Sequence, residues 1–173
     1  MSDEAHDATG RFEGYASVFN VVDRGRDMVL PGAFQATLKQ RGPTAVKFLW
    51  QHDPREPIGI LEDLYEDRHG LFVRGRLLMD VERAREAHGL MKAGALDGLS
   101  IGFHTIRAER GEDGTRRLRE LDLWEISLVT FPMNDRARVF SFKDDHSMIE
   151  LAADQAAFLA GLRHLTHLMT QER

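Results

Sequence analysis

Apolar residues fall at every second position in several stretches of this chain, and that spacing calls for a backbone that is mostly extended. In Arg11–Phe19, Phe12, Gly14, Ala16 and Val18 share one face while Tyr15, Ser17 and Phe19 share the other, the two-residue period of a pleated strand. Gly70–Met79 repeats it, with Leu71, Val73, Gly75 and Leu77 set against Phe72, Arg74, Arg76 and Leu78. Val46–Gln51, Pro57–Leu64, Ser100–Arg107, Arg116–Trp124 and Glu125–Thr130 read as further strands, with turn residues at Asp23-Arg24-Gly25, Asp67–Gly70 and Gly111–Gly114. The strand from Val46 is expected to stop at His52-Asp53-Pro54, because proline has no N–H to give a ladder. Helical spacing is rarer. It predicts a short helix over Ala33–Arg41 stopped by Gly42, and another from Val81 to about Ala93, capped by Asp80 and closed by Gly94. A last helix is expected over Met148–Thr170, where Phe158, Leu162, Leu165 and Met169 form one apolar stripe. Strands that do not alternate regularly with helices disfavour a doubly wound parallel sheet. The expected fold is α+β: a small, mostly antiparallel β-barrel with flanking helices and a C-terminal amphipathic helix.

The length of 173 residues suits a single domain. Its expected organisation is a flexible leader over 1–10, the folded domain over 11–142, and a linker with the C-terminal helix over 143–173. With 42% hydrophobic and 29% charged residues, the chain can build a core beneath a polar surface. The net charge of -5 is spread by interleaved acids and bases; without a basic stripe, nucleic acid is not an expected partner. The absence of cysteine excludes disulfides, thiolate metal sites and cysteine nucleophiles. The polar, acidic start is not a signal peptide, and no apolar run approaches the ~18 residues of a membrane span. A cytoplasmic setting with no membrane contact is therefore expected. No cofactor or metal is expected either: there is no glycine-rich phosphate loop, and His164 and His167 on the last helix have no third ligand nearby in sequence.

Ser100 lies in Gly98-Leu99-Ser100-Ile101-Gly102, which matches G-x-S-x-G. In a nucleophile elbow that pattern sits on a strand-to-helix turn, whereas the residues following Ser100 alternate like a strand. The bland alternative is an ordinary serine at a strand start. His52 sits where an aromatic strand ends, a place where an imidazole is held by the sheet yet faces a cleft and can take a proton near neutral pH; the bland alternative pairs it with Asp53. Glu125 opens an apolar strand, where a carboxylate is costly to bury unless paired. An imidazole N–H would pair it and fix the tautomer; Arg107, Arg117 or Arg119 would be the unremarkable partners. His104 falls on the same strand face as Ser100 and is held in reserve. His69 and His88 read as surface residues, and Asp144-Asp145-His146 as a charged linker.

The runs GYASVFNVVDRGRDMVLPGAF, FLWQHDPREPIG, GLFVRGRL, LMKAGALDGLSIGF and DLWEISLVTFPMNDRA, in that order over about residues 12–138, together resemble the prohead proteases of tailed bacteriophages. That family is similar to the herpesvirus capsid-maturation proteases, the assemblins. The resemblance implies an assemblin-like barrel-plus-helices fold over the 11–142 protease domain. It also implies a serine endopeptidase with a Ser-His-Glu triad: the family's histidine, in the block ending "HD", falls on His52, its serine in "LSIGF" on Ser100 and its glutamate in "EISLV" on Glu125. The implied substrate is the scaffold portion of the major capsid protein, and the protease itself, inside an assembling procapsid in the host cytoplasm. Homodimerisation or self-association is implied by the herpesvirus relatives. The chain departs from the family pattern in its short segment before the first strand and in Arg26, which intervenes before Asp27. An oxyanion hole is expected in the Phe131–Arg136 loop. The rival reading from another class is a catalytically inactive capsid assembly or scaffolding protein on the same fold; a third, resting on GLSIG alone, is an esterase.

Overall fold

The computed structural model describes residues 10–143, and most of them are strand. In chain order the elements are β1 (Arg11–Val18), β2 (Asp27–Val29), α1 (Gln35–Arg41), β3 (Lys47–Trp50), β4 (Asp53–Glu66), β5 (Gly70–Leu77), α2 (Glu82–Lys92), β6 (Gly98–Arg110), β7 (Arg116–Val129) and β8 (Val139–Lys143). The spine is β7. On one side β6 runs antiparallel to it from Gly98 opposite Val129 to Arg110 opposite Arg116. On the other side β2 pairs with its first residues and β3 with its last, both in parallel. From β3 the sheet continues antiparallel through β4, β5 and β1 to β8. The sheet curls, and a lone bridge between Gly98 and Arg138 brings the start of β8 back to the start of β6. The expected barrel thus takes the form of a curled half-barrel with few helices, and its centre carries two parallel pairings that local periodicity did not indicate.

The core fills the inside of the curl. Phe12 of β1 stacks on Phe48 of β3 with ring centroids 4.6 Å apart. Leu71, Leu77, Leu99, Leu118, Leu121, Leu123 and Ile126 are all but fully buried around them, each contributing about 1.5–3 kcal/mol of apolar transfer. Helix α1 is pinned to β7 by the Thr37 hydroxyl, which donates to the Leu121 carbonyl at 2.7 Å and accepts the Leu123 N–H at 3.2 Å. Helix α2 turns Ala84, Ala87 and Met91 inward, an apolar stripe at helical spacing.

Three local expectations change. Strand β4 begins at Asp53 and runs through Pro54. Between the pairs Trp50–Asp53 and Leu49–Pro57 the ladder slips, so residues 54–56 bulge out, and proline is tolerated where no N–H is required. Asp80 does not cap α2; the helix starts one residue later, with Val81 at the cap position and no side-chain capping bond. The short strands β2 and β8 carry no sequence signal of their own and exist through their partners, β7 and β1. The expected leader, apart from Gly10, lies outside the described residues, as do the expected linker beyond Lys143 and the C-terminal helix.

Candidate active site

His52 owes its position to a strained turn. Gln51 and His52 are the two central residues of the β3–β4 hairpin, with φ of 50° and 62°. Positive φ at both positions is the type I′ geometry that suits the twist of a hairpin, normally filled by Asn-Gly. For residues with a side chain it costs on the order of 1–3 kcal/mol each. The end of β7 holds the turn in place. The Gln51 N–H donates to the Leu128 carbonyl at 3.0 Å, the Gln51 side-chain amide donates to the Thr130 hydroxyl at 2.8 Å, and the His52 N–H donates to Ser127 Oγ at 3.0 Å. The parallel pairing of β3 with β7 makes these bonds possible, because it carries the turn to the C-terminal end of the same strand that holds Glu125.

The clamp lays the imidazole against Glu125. His52 Nδ1 and Glu125 Oε1 are 2.6 Å apart, and the second carboxylate oxygen, Oε2, accepts the Ser127 hydroxyl at 2.7 Å. Ser127 is fully buried; it therefore takes the backbone N–H of His52 and gives its own proton to Glu125, fixing both members of the pair. The Glu125 side chain is 13% exposed and that of His52 42%. Were the carboxylate to accept at Nδ1, the ring would carry its proton there and leave a lone pair at Nε2. The unremarkable partners do not engage: Asp53 pairs with Arg55 at 2.8 Å, and Arg119 with Glu109 at 2.6 Å.

Ser100 stands directly opposite Ser127 in the β6–β7 ladder, and Gly102 opposite Glu125. Facing residues of an antiparallel pair hold their Cβ atoms about 4.5–5.5 Å apart, so Ser100 and His52 are both immediate neighbours of Ser127. Ser100 is 6% exposed. No hydrogen bond joins its hydroxyl to His52 among the described residues. His104 goes elsewhere: it stacks on Trp124, with centroids 4.4 Å apart and the planes within 7°. In the expected oxyanion loop the Arg136 N–H is donated to Asn134 Oδ1 at 3.1 Å, and the Ala137 N–H to the Asn134 carbonyl at 2.9 Å. Among the described residues no group of three or more histidines and carboxylates is placed to hold a metal ion, and no helix is long and apolar enough to cross a membrane.

The parts played by three positions, Ser127, Gly98 and Gly102, escaped the sequence reading. Ser127 looks like any serine in an apolar strand, and only its cross-strand register gives it a task. The glycines of G-x-S-x-G were legible as a pattern but not as a reason. A Cβ on Gly102 would collide with the Glu125 carboxylate, and one on Gly98 with the Val129 carbonyl. The glycines here let β7 and its glutamate lie close against the serine strand, a different purpose from the tight turn of an elbow.

The family model for the caudovirus prohead serine protease matches residues 1–150. Over 136 residues the chain is 36% identical to the prohead protease of Enterobacteria phage HK97, an alignment covering 78% of this chain and 60% of that protein. Over 129 residues it is 35% identical to the capsid polyprotein of Pseudomonas phage PAJU2, covering 70% of this chain and 18% of that one. The chain thus spans less than two thirds of the length of either relative. Among solved structures it is similar to the bacteriophage T4 capsid assembly protease, with a TM-score of 0.55 and 17% identity over 69% of this chain and 82% of that one. It is also similar to the KSHV protease, solved with a hexapeptide phosphonate inhibitor, with a TM-score of 0.50 and 16% identity over 76% of this chain and 64% of that one. At such identities these two likenesses speak for the fold, that of the curled sheet just described. With the family model spanning most of its length, the chain belongs to the caudovirus prohead serine protease family.

Proposed function

We propose that the chain is a serine endopeptidase that matures phage procapsids, with Ser100 as nucleophile, His52 as general base and Glu125 as the group that orients and charge-balances the imidazole. The observation that carries this reading is the 2.6 Å bond between His52 Nδ1 and Glu125 Oε1, locked by Ser127, on a site whose next strand presents Ser100. In this scheme Ser100 Oγ attacks the scissile carbonyl as His52 Nε2 takes its proton. The imidazolium is stabilised by Glu125, which stays ionised, and the Nε2 proton passes to the leaving amine. Water then repeats the sequence on the acyl-enzyme and frees Ser100. Donors to the developing oxyanion, each worth about 3 kcal/mol, belong to this scheme, and the Phe131–Arg136 loop is the segment assigned to supply them.

The relatives named as a prohead protease and as a capsid assembly protease support a capsid-protein substrate. The proposed substrate is the scaffold portion of the major capsid protein, with self-cleavage as a second target, inside the assembling procapsid in the host. The same reading includes self-association of the protease, an assemblin-type closure of the curled sheet, and an appended C-terminal helix over the last residues.

The test is direct. Ser100→Ala is expected to fold, as judged by an unchanged circular dichroism spectrum, and to leave the capsid precursor uncut when the two are coexpressed. A serine-directed fluorophosphonate is expected to label Ser100 in the wild-type chain. Continued processing by Ser100→Ala removes that residue from its role. A correctly folded wild-type chain that resists labelling and leaves the precursor whole favours a non-catalytic assembly protein.

A further inference from the structure

Beside Ser100 the half-barrel opens into a cavity of about 220 Å³. Ser100 forms part of its wall, and Val29, Leu99, Ile101 and Leu118 give it an apolar lining. His52 and Glu125 are not on that wall, so Ser100 is the member of the proposed site that borders both the cavity and, across the ladder, Ser127. Two carboxylates reach the cavity from the loop after β1 and from β2, Asp23 and Asp27, and their situations differ. Asp27 is neutralised by Arg116, whose Nε and Nη2 donate to its two oxygens at 2.7 and 2.5 Å. Asp23 uses Oδ1 to accept the Asp27 N–H at 2.8 Å, which closes the turn, and no cation forms an ion pair with it among the described residues. Burial pushes the Asp23 carboxyl up, against the N–H bonds from Asp27 and Gly25; repulsion from Asp27 adds to the rise, and Arg116 offers only a minor attraction. A half-desolvated carboxylate without a counter-charge gains when a cation arrives.

We propose that this cavity receives the side chain of the substrate residue that supplies the scissile carbonyl, and that Asp23 selects a lysine or arginine there. The assignment rests on Ser100 as the nucleophile. The carbonyl carbon under attack is bonded to the Cα of that residue, so its side chain lies nearer the serine than the one across the scissile bond, which is separated by the amide nitrogen as well. An apolar lining that also carries an acid suits a side chain with a methylene stem and a charged head. The same acid excludes aspartate and glutamate, and a neutral apolar residue would leave it without a counter-charge.

Peptides identical except for lysine, arginine, norleucine or glutamate at that position, given to the full chain, test the assignment. Lysine and arginine are expected to exceed norleucine in kcat/KM by at least ~10-fold, with glutamate poorest of the four. Asp23→Asn keeps an oxygen for the Asp27 N–H and is expected to bring the lysine-to-norleucine ratio towards one. A wild-type preference for norleucine or glutamate, or an unchanged ratio in Asp23→Asn, overturns the assignment; the wild-type series decides even if the variant does not fold. Fluorophosphonate labelling of Ser100 separates the two levels. A labelled enzyme indifferent to the charge of that residue sinks the cavity assignment alone, whereas an unlabelled Ser100 sinks both.

Discussion

Removing the Ser127 hydroxyl is the most searching perturbation of the proposed site, because that atom touches neither the scissile bond nor solvent. Ser127→Ala deletes the 2.7 Å bond to Glu125 Oε2 and leaves the His52 N–H without its 3.0 Å acceptor. A hydrogen bond to a charged group is worth about 1.5–3 kcal/mol, and an unpaired part-buried N–H adds to the loss. The lost bond was also helping to hold a turn with two side-chain-bearing residues in the left-handed region. A net destabilisation of about 2–4 kcal/mol follows, which for a chain of this size lowers Tm by roughly 4–16 °C. The effect on turnover is a matter of aim: an imidazole displaced by an ångström costs up to about 100-fold, and the loss should fall on kcat more than on KM. Differential scanning fluorimetry reads the first quantity and steady-state peptide cleavage, below the variant's transition, reads the second. A purely structural serine would lower Tm and leave kcat alone. The decisive arm is a double-mutant cycle with Glu125→Gln, itself expected to leave a weak but detectable enzyme. If the two side chains act as a unit, the double variant is no worse than the poorer single one. Ser127→Ala with kcat within about two-fold of wild type, or losses that simply add, refutes the view that Ser127 aims the imidazole through Glu125.

Gly102→Ala places a methyl group where the Glu125 carboxylate lies, and the carboxylate can retreat only by abandoning His52; kcat should fall by at least ~10-fold with little change in Tm, and retained activity would mean that the close approach of β6 to Glu125 is incidental. Tyr15 offers a pH test away from the site. Its hydrogen bond to Asp67, at 2.6 Å, is the main cause that pushes the phenol up to about 12, with burial and the negative charge of Asp67 adding to it. A phenol raised in the folded state contributes stability that is fully present below pH 10 and is lost as pH rises through about 12. Tyrosinate absorbance in a Tyr65→Phe background should therefore show Tyr15 titrating late, and Asp67→Asn should bring it back towards 10; a Tyr15 titration unmoved by Asp67→Asn would dismiss the bond. Asp23 has the same sign for a carboxyl. Burial raises it, so ionisation opposes folding as pH climbs through its titration, and Asp23→Asn is expected to match or exceed the wild-type Tm at pH 7 while losing selectivity for cationic substrates. A clear drop in Tm would make Asp23 a structural residue.

Much of the sheet was legible because the relevant signal is local. Phe12, Ala16 and Val18, or Leu71, Val73 and Leu77, sit every second residue whatever they pack against, and both sets are buried. Ser100, His52 and Glu125 were picked out as candidates on different grounds, Ser100 by the G-x-S-x-G match, His52 by its place at a strand end and Glu125 by the cost of burying its carboxylate, and the family resemblance joined them. The structure brings two of the three, His52 and Glu125, into direct contact and sets Ser100 across the ladder from the serine that binds both.

What the amino-acid order determined by itself was the period of each strand, the sites of most turns and which polar residues stood out as candidates for chemistry. These depend on dihedral preferences and on the cost of burying charge, which neighbouring residues set. Register was decided only by the tertiary structure. Whether Ser127 faces Ser100, whether Gly102 lies under Glu125 and whether β3 runs parallel to β7 depend on pairings between distant segments, where a slip of one residue would turn every side chain to the other face. The left-handed turn at Gln51-His52 belongs to the same class, since a Gln-His pair adopts it only when the far end of β7 supplies the bonds that hold it there.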